Sequence, residues 1–261
     1  MLSSMETILP PSPPQSPSSI DENATLTSIM STLRLEANSI SLLASRISLS
    51  KELQSNFIQA VALLNGANKV VVTGVGKSGI IARKAVAMLR SLAIVAVFLD
   101  ATDALHGDLG LVQPGDVVLM LSNSGKTAEL LQLIPHLKQR PETTLIALCS
   151  EKGSPLGQAC DCWIDTSVPS EATHQFPAPT CSTTLTLAVV DSLCIAAAEH
   201  RRLDQQAFKF NHPGGAIGSK LEEDAKVCAC QANAPTPAVS PEDAPSKVDG
   251  RHLEPEPMAL S

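Results

Sequence analysis

Aromatic side chains are scarce in this chain of 261 residues, which has five Phe, one Trp and no Tyr. So few rings leave little surface on which nucleobases or sugar rings could stack. Basic residues are also in the minority, because 19 Lys and Arg stand against 26 Asp and Glu and give a net charge of -7. A nucleic-acid partner needs a basic face for its phosphate backbone, so we expect no nucleic acid to bind here. The composition favours a small ligand held by polar and charged groups.

Long apolar runs are lacking too, since none reaches the roughly 18 to 20 residues that span a bilayer. The first residues do not look like a targeting segment, because Glu6 and Asp21 precede the first arginine, Arg34. The sequence therefore predicts no membrane association and a cytoplasmic location.

The cysteines do not form the even, regular pattern of a disulfide framework. There are seven of them, scattered through apolar stretches and two short pairs, Cys160/Cys162 and Cys228/Cys230. Such usage is typical of reduced thiols in a cytosolic protein. The C-x-C spacing also differs from the C-x-x-C spacing usual for zinc, so we expect no metal at these pairs.

The two ends of the chain differ in composition from its middle. Residues 1–24 are rich in Pro and Ser, and residues 226–261 are rich in Pro, Ala and acidic residues. Such segments bury too little apolar surface to offset the entropy lost on ordering. We predict two disordered tails around a folded domain at residues 25–225.

The folded part begins with helical periodicity, in which Leu26, Ile29, Met30 and Leu33 recur at spacings of three and four residues. Short apolar runs follow, each bounded by Gly, Pro, Asn or Asp and succeeded by a helical stretch. The runs lie at residues 70–72, 94–99, 117–121, 144–148 and 162–164. Strands alternating with helices are typical of a parallel sheet covered on both faces. The predicted fold class is α/β, a three-layer α/β/α sandwich with five parallel strands.

Ligands of such sheets bind outside the carboxyl ends of the strands. The turn after the first strand reads GVGKSG at residues 74–79, where glycines and a helix start favour an anion and Lys77 adds a charge. A Walker A loop would need Gly where Val71 stands, so that motif is excluded. The spacing does satisfy G-x-G-x-x-G, and Asp100 ends the next strand. An NAD-dependent oxidoreductase therefore stays an alternative, as does a glycine-rich turn without a ligand.

The turn after the third strand reads SNSGKTAE at residues 122–129 and carries three hydroxyls, from Ser122, Ser124 and Thr127. One of these hydroxyls could simply cap the next helix. Three exceed what one cap uses, whereas a phosphomonoester has three acceptor oxygens and would also gain from the helix dipole. A dinucleotide fold does not require this second anion site, but a small phosphorylated ligand would.

Three further segments carry chemistry-bearing residues. His106 lies in ALHGDLG, Glu171 lies in PSEATH, and His212 lies in NHPGGAIG. The last motif places His212 between Asn and Pro-Gly-Gly, residues typical of a rigid turn, rather than on an apolar helix face. A surface histidine without a function stays an alternative.

In this order and at these intervals, the motifs GVGKSG, HGDLG, SNSGKTAE, PTCSTT and HPGGAIG resemble the sugar isomerase (SIS) domain of the arabinose-5-phosphate isomerase family of the KpsF/GutQ type. The resemblance covers roughly residues 35–222. It implies a five-stranded parallel sheet that binds phosphorylated sugars. It also implies a homo-oligomer, a dimer or tetramer, with active sites assembled between subunits. Family members interconvert D-arabinose 5-phosphate and D-ribulose 5-phosphate without a cofactor.

The resemblance also implies which residues form the site. The catalytic residues would be Lys77, Glu129, Glu171 and His212. The substrate- and phosphate-binding residues would be Gly76, Ser78, His106, Ser122, Asn123, Ser124, Thr127, Thr180, Ser182 and Thr183.

These residue types suit aldose–ketose exchange, which moves a proton between C1 and C2 through an enediol. The reaction needs a base near those carbons and donors for the developing oxyanion. We predict that Glu171 is the carbon base and that His212 assists proton transfer or ring opening. Lys77 would polarise substrate oxygens, and Glu129 would orient Lys77 or a hydroxyl.

The chain also departs from the family pattern. Cys181 replaces the first Ser of P-T-S-S-T-T, and Lys126 stands where Glu is common, which adds positive charge near the expected phosphate. Many bacterial members continue into two CBS domains, where this chain has its acidic tail, so we expect no regulation through CBS domains. A non-catalytic SIS module that binds a phosphosugar for regulation stays an alternative, and a metal near His106 and His212 stays an open question.

Overall fold

The computed structural model describes residues 20–214 and residue 219. Most of the predicted N-terminal tail and all of the predicted tail at residues 226–261 lie outside the described residues. The chain up to Pro213 belongs to one compact unit. A second unit begins at Gly214, and only Gly214 and Ser219 of it are described.

Two helices open the folded domain, α1 (Glu22–Leu49) and α2 (Lys51–Gly66). The side chain of Asp21 caps α1 by accepting a hydrogen bond from the Ala24 amide at 3.0 Å. Ser50 caps α2 in the same way. The helix thus begins inside the stretch predicted as tail, because an N-cap residue sets its start and the Pro/Ser composition ends a few residues earlier.

Strands and helices then alternate, which confirms the predicted α/β sandwich. The strands are β1 (Val70–Gly74), β2 (Ala96–Phe98), β3 (Val117–Leu121), β4 (Thr144–Cys149) and β5 (Cys162–Asp165). The helices are α3 (Lys77–Ser91), α4 (Ala101–Ala104), a 3-10 helix (Asp108–Leu111), α5 (Ala128–Lys138), α6 (Pro155–Ala159), α7 (Cys181–His200) and α8 (Gln205–Phe210). All five strands are parallel, in the order β2-β1-β3-β4-β5. The sequence did not predict the short α4, 3-10 helix and α8.

The sheet separates two apolar cores, because successive side chains of a strand point to opposite faces. Val70 and Val72 of β1 pack with α1, α2, α3 and α7 on one face. Val71, together with Val118 and Met120 of β3, packs with α4, α5 and α6 on the other. Both faces of every central strand are buried, which explains why these strands are continuous apolar runs.

Helix α7 is long and apolar enough to cross a membrane, and no other described helix is. Half of its 20 residues are buried against the domain itself. It packs on α1, α2 and α3, which makes it the central helix of one core.

The strand order also locates the crevice. From β1 the chain runs outward to β2 and then returns past β1 to β3, so the direction of winding reverses between β1 and β3. Ligands of doubly wound sheets bind at that point, outside the carboxyl ends of the strands. The two turns that leave β1 and β3 carry the glycine and serine motifs.

Candidate active site

The glycine motif after β1 is explained by close packing of the strand end against α3. A side chain on Gly74 would place its Cβ 2.9 Å from the backbone of Ser78, and one on Gly79 would lie 2.7 Å from the Gly74 carbonyl oxygen. Gly76 has φ +59° and precedes α3 directly. The motif therefore provides a tight turn. Asp100, which a dinucleotide site would use for the ribose, instead caps α4.

Two helices begin at the carboxyl edge of the sheet without a side-chain cap. The residue before α3 is Gly76, and the residue before α5 is Thr127, whose side chain makes no capping hydrogen bond. The Thr127 hydroxyl lies instead 2.7 Å from the Ser122 hydroxyl. Uncapped first-turn amides at the positive end of a helix dipole can receive an anion.

Hydrogen bonds within the serine turn fix its shape. The buried Ser122 hydroxyl accepts from the Gly125 amide at 3.1 Å, and the Ser124 hydroxyl accepts from the Lys126 amide at 3.2 Å. The Asn123 carbonyl accepts from Ser150, which leaves the exposed Asn123 side chain at the crevice. Ser122 and Thr127 thus shape the turn, and Asn123 faces the space where a ligand would lie.

A cavity of about 220 Å³ lies where the two turns meet the start of α7. It is lined by Val75, Lys77, Ser78, Ile81, Asn123, Pro179, Ser182, Thr183 and Thr186. Five of these residues were predicted site residues, namely Lys77, Ser78, Asn123, Ser182 and Thr183. The fold therefore brings together side chains that are more than 100 positions apart in sequence.

Thr186 is a cavity residue that the sequence interpretation missed. Its hydroxyl donates to the Ser182 carbonyl at 2.7 Å, so it lies one helical turn after Ser182 on the same face of α7. The spacing of four residues from a predicted site serine was the signal that could have identified it.

Lys77 supplies the positive charge of the cavity. Its side chain is exposed, and among the described residues its ammonium group has no hydrogen-bond or ion-pair partner. An ammonium group without an internal partner is available to a bound anion. Glu129 lies in the first turn of α5 and is also exposed, but it does not line the cavity.

Glu171 holds the start of α7. Its Oε2 atom accepts hydrogen bonds from the Thr180 amide at 2.8 Å, the Thr180 hydroxyl at 3.0 Å and the Ser182 amide at 3.2 Å. Its Oε1 atom accepts from the Ser182 hydroxyl. The carboxylate thus caps a helix to which its own N-cap residue gives no side-chain bond.

These contacts decide the protonation state of Glu171. Partial burial alone would raise the pKa of the carboxyl group, but the hydrogen bonds from Ser182 and Thr180 outweigh burial and hold the pKa below its usual value. The carboxylate is therefore ionised at neutral pH. A carboxylate has about four acceptor positions, and Oε2 already uses three partners while Oε1 uses one, so Oε1 can accept a further hydrogen bond.

His212 lies far from this cavity within its own chain. Its Nε2 atom is 2.9 Å from the Ser91 hydroxyl, and its ring stacks on Phe208 at 4.1 Å between centroids. Ser91 is the last residue of α3, whereas Lys77 is the first. A helix rises about 1.5 Å per residue, so the ends of α3 are about 21 Å apart. The structure does not bring His212 together with the other predicted catalytic residues of the same chain.

The other predicted residues do not line the cavity. They are Gly76, His106, Ser122, Ser124, Thr127, Glu129, Glu171, Thr180 and His212. His106 is exposed in the turn between α4 and the 3-10 helix. Thr180 is used in the hydrogen bonds of the Glu171 cap, and its hydroxyl also accepts from the Ala172 amide at 2.9 Å. No group of three His, Cys, Asp or Glu residues placed to hold a metal occurs in the described part of the chain.

The thiols that the structure describes are free rather than paired. Burial raises the pKa of Cys160 to about 12, with smaller contributions from Asp161 and Cys149, and raises the pKa of Cys162 to about 11. Such thiols stay protonated and are poor metal ligands and nucleophiles. The second pair, Cys228 and Cys230, lies outside the described residues.

Arg46 makes long-range contacts that the sequence analysis did not predict. From α1 its guanidinium reaches the end of β5, where it lies 3.2 Å from Asp165 and donates to the Ser167 carbonyl at 2.8 Å. Asp165 is almost fully buried, and the segment that follows leads to Glu171. The contacts of Arg46 with Asp165 and Ser167 therefore hold the start of the loop that carries Glu171.

Comparison with known proteins adds three findings. Residues 63–196 match the SIS domain family model. The arabinose 5-phosphate isomerase KdsD of Pseudomonas aeruginosa is 42% identical over 191 residues, which are 73% of this chain and 56% of that protein. The arabinose 5-phosphate isomerase GutQ of Escherichia coli K12 is 39% identical over 73% of this chain and 57% of its own length. This chain thus spans about half the length of the curated relatives it matches.

A solved structure gives the same likeness in three dimensions. An E. coli CFT073 protein in complex with arabinose 5-phosphate is 35% identical, with a TM-score of 0.67. The match covers 74% of this chain and all of that one.

Proposed function

Because the chain belongs to the SIS domain family, we propose that it is a sugar-phosphate aldose–ketose isomerase that interconverts D-arabinose 5-phosphate and D-ribulose 5-phosphate. Two isomerase relatives and a sugar-phosphate complex of a similar fold support this choice of substrate. One observation carries the proposal from the structure itself. The uncapped start of α3, the Lys77 side chain, the Asn123 side chain and the hydroxyls of α7 surround one cavity.

The anionic end of the substrate is bound at the crevice between β1 and β3. The Asn123 side chain and the uncapped first-turn amides of α3 and α5 would provide donors for phosphate oxygens. Hydrogen bonds to a charged phosphate are short and about twice as strong as neutral ones. Phosphate binding would then orient the sugar carbons toward the start of α7.

We propose Glu171 as the base for the proton transfers, because its carboxylate is hydrogen-bonded to Ser182, which lines the cavity. Glu171 Oε1 takes the proton from C2 of the open-chain aldose while O1 gains a proton, which gives the enediol. The proton returns to C1 as O2 gives up its own, so the aldehyde is reduced and C2 is oxidised within one molecule. The reaction therefore needs no cofactor. Lys77 stabilises the negative charge that develops on oxygen.

His212 would reach the site from another subunit. The imidazole is about 21 Å away along α3 in its own chain. A homo-oligomer with active sites shared between subunits resolves this distance, as the family resemblance implies. His212 would then assist ring opening or proton transfer, and Glu129 would orient neighbouring donors.

A direct assay tests the proposal. Purified protein is incubated with D-arabinose 5-phosphate in the absence of nucleotide, and ketose formation is followed. We expect turnover, with no turnover of unphosphorylated D-arabinose. Thermal stabilisation by the phosphosugar without turnover would support the regulatory binding module instead, and stabilisation by NAD would support the oxidoreductase.

Mixed subunits test the shared site. Lys77→Met and His212→Ala proteins are each expected to be nearly inactive, because each site then lacks one group. In a mixed dimer one site lacks both groups and the other has both, so a randomly mixed sample should recover about a quarter of wild-type activity. Absence of recovery in proteins shown to exchange subunits would refute the shared site.

The proposed location is the cytoplasm. Free buried thiols with raised pKa values suit a reducing compartment, and a sugar-phosphate substrate is an intracellular metabolite by its charge.

A further inference from the structure

The segment that carries Glu171 has no regular secondary structure. Residues 166–180 join the end of β5 to the start of α7, and none of them lies in a helix or a strand. A loop of this kind keeps one conformation only where contacts hold its backbone groups. The position of the Glu171 carboxylate therefore depends on the side chains that hold this loop.

Ser167 is the point at which the start of the loop is held. Its amide donates to Asp165 Oδ1 at 2.8 Å, and its carbonyl accepts from Arg46 Nη2 at 2.8 Å. Its hydroxyl accepts from Arg46 Nη1, which also lies 3.2 Å from Asp165 Oδ2. The Arg46–Asp165 ion pair thus binds the amide, the carbonyl and the hydroxyl of Ser167. Hydrogen bonds to charged partners are about twice as strong as neutral ones.

The stretch from Ser167 to Glu171 is short and has restricted backbone angles. Val168 packs against the apolar core that α7 shares. Pro169 follows, and its ring fixes its own φ angle while it restricts the residue before it. Few backbone rotations are left to absorb a movement of Ser167, so such a movement would displace Glu171 as well.

The chemistry of Arg46 suits this position. Asp165 is only 5% exposed, and a buried carboxylate needs a charged partner. A guanidinium presents several donors in a planar fork, so it can bind Asp165 and the Ser167 carbonyl together, whereas a lysine ammonium is a point charge. Helix α1, which carries Arg46, packs on α7, the helix that Glu171 caps.

We propose that Arg46 is a positioning residue for the isomerase reaction, because it fixes Ser167 and thereby keeps the Glu171 carboxylate at the start of α7. The inference rests on the proposed function, in which Glu171 is the base. Arg46 does not line the cavity, so it acts through Glu171 rather than on the substrate. A misplacement of about 1 Å in a reacting group can lower a rate by about 10²-fold.

The experiment uses two Arg46 variants and a matched arginine control. Arg46→Met removes the contacts with Ser167 but leaves buried Asp165 without its partner. Arg46→Met/Asp165→Asn removes the same contacts without leaving a buried charge, so it should be the more stable of the two. Arg140→Met is the control, because the Arg140 guanidinium donates to the Val112 carbonyl at 3.0 Å between α5 and β4.

Initial rates separate positioning from stability. We expect kcat to fall by about 10- to 100-fold in both Arg46 variants, with KM changed by less than about twofold, because the groups that bind phosphate are not altered. The double variant should remain slow although its stability partly recovers. The control should keep the kcat of the wild type.

Amide hydrogen exchange gives a readout that does not depend on turnover. The amides of Thr180 and Ser182 donate to Glu171 Oε2 at 2.8 Å and 3.2 Å. We expect both amides to exchange at least about tenfold faster in the double variant than in the wild type, while the amides of β3 change much less. Such a local effect is the signature of a displaced carboxylate.

Three results would overturn the proposal. They are a double variant with the kcat of the wild type, unchanged exchange at Thr180 and Ser182, and exchange that rises equally at these amides and in β3. The last result would mean that Arg46 only stabilises the fold. If the wild-type protein did not isomerise the sugar phosphate, the proposed function would fail, and the exchange rates alone would decide whether Arg46 positions Glu171.

Discussion

Replacement of Glu171 by Gln separates the capping role of this residue from its proposed chemical role. Gln has the same shape but presents an NH₂ group and loses the charge that holds the start of α7. Loss of an N-cap costs about 0.5–2 kcal/mol. Since Glu171 is partly exposed and solvent screens it, we expect about 1 kcal/mol, or roughly 2–4 °C in Tm for a domain of this size.

The pH dependence of this loss gives a sharper test. The pKa of the Glu171 carboxyl is lower in the folded than in the unfolded protein, where it is about 4.3, so the unfolded state binds the proton more tightly. The stabilisation is therefore complete above the unfolded pKa and is lost as pH falls through the folded pKa. Urea unfolding of wild type and Glu171→Gln should differ by about 1 kcal/mol at pH 7, and the difference should shrink below about pH 4.

The same variant reports on catalysis through an independent measurement. If Glu171 is the carbon base, kcat should fall by about 10²–10⁴ while the Tm changes only slightly. Glu36→Gln, which replaces a carboxylate on α1, is the control and should change neither quantity. A Glu171→Gln protein with full kcat would refute the role as base, and a stability difference that is equal at pH 7 and pH 4 would refute the capping argument.

Three other perturbations test separate parts of the structure. Lys77→Met should lower kcat/KM by about 10²-fold in initial-rate assays, because the cavity loses its positive charge. An unchanged kcat/KM would show that Lys77 takes no part in the reaction. Gly125→Ala should destabilise the fold by about 2–3 kcal/mol in urea titrations, since φ is +63° and the new Cβ would lie 2.1 Å from the Ser154 hydroxyl oxygen. Arg46→Met should cost about 2–3 kcal/mol because it leaves buried Asp165 unpaired. Adding Asp165→Asn to that variant should recover part of the loss, and no recovery would contradict the ion-pair account.

The fold could be predicted from the sequence because its information is local. The run at residues 117–121 is apolar throughout and bounded by Asp116 and Ser122, and the structure has β3 at the same residues. Helix α1 begins at Glu22, three residues before the predicted domain boundary, because a single capping residue, Asp21, fixes its start. The α4 helix has only four residues and shows no periodicity from which it could be recognised.

The site was predictable only to the extent that strand ends determine it. Lys77, Ser78 and Asn123 follow β1 and β3, and parallel strands bring those two turns to one crevice whatever the rest of the chain does. The contacts of Glu171 and Arg46 depend on tertiary distances, which no local pattern encodes. Only the structure shows that the Glu171 carboxylate lies at the start of α7 and that four donors orient it.

The role predicted for His212 depends on more than one subunit. His212 lies outside residues 63–196, which match the family model, and in one subunit its imidazole lies at the opposite end of α3 from Lys77. A residue type can identify a chemical role, but the distance of about 21 Å forbids that role within one chain. The mixed-subunit activity assay therefore tests whether a second copy of the chain supplies His212 to the proposed site.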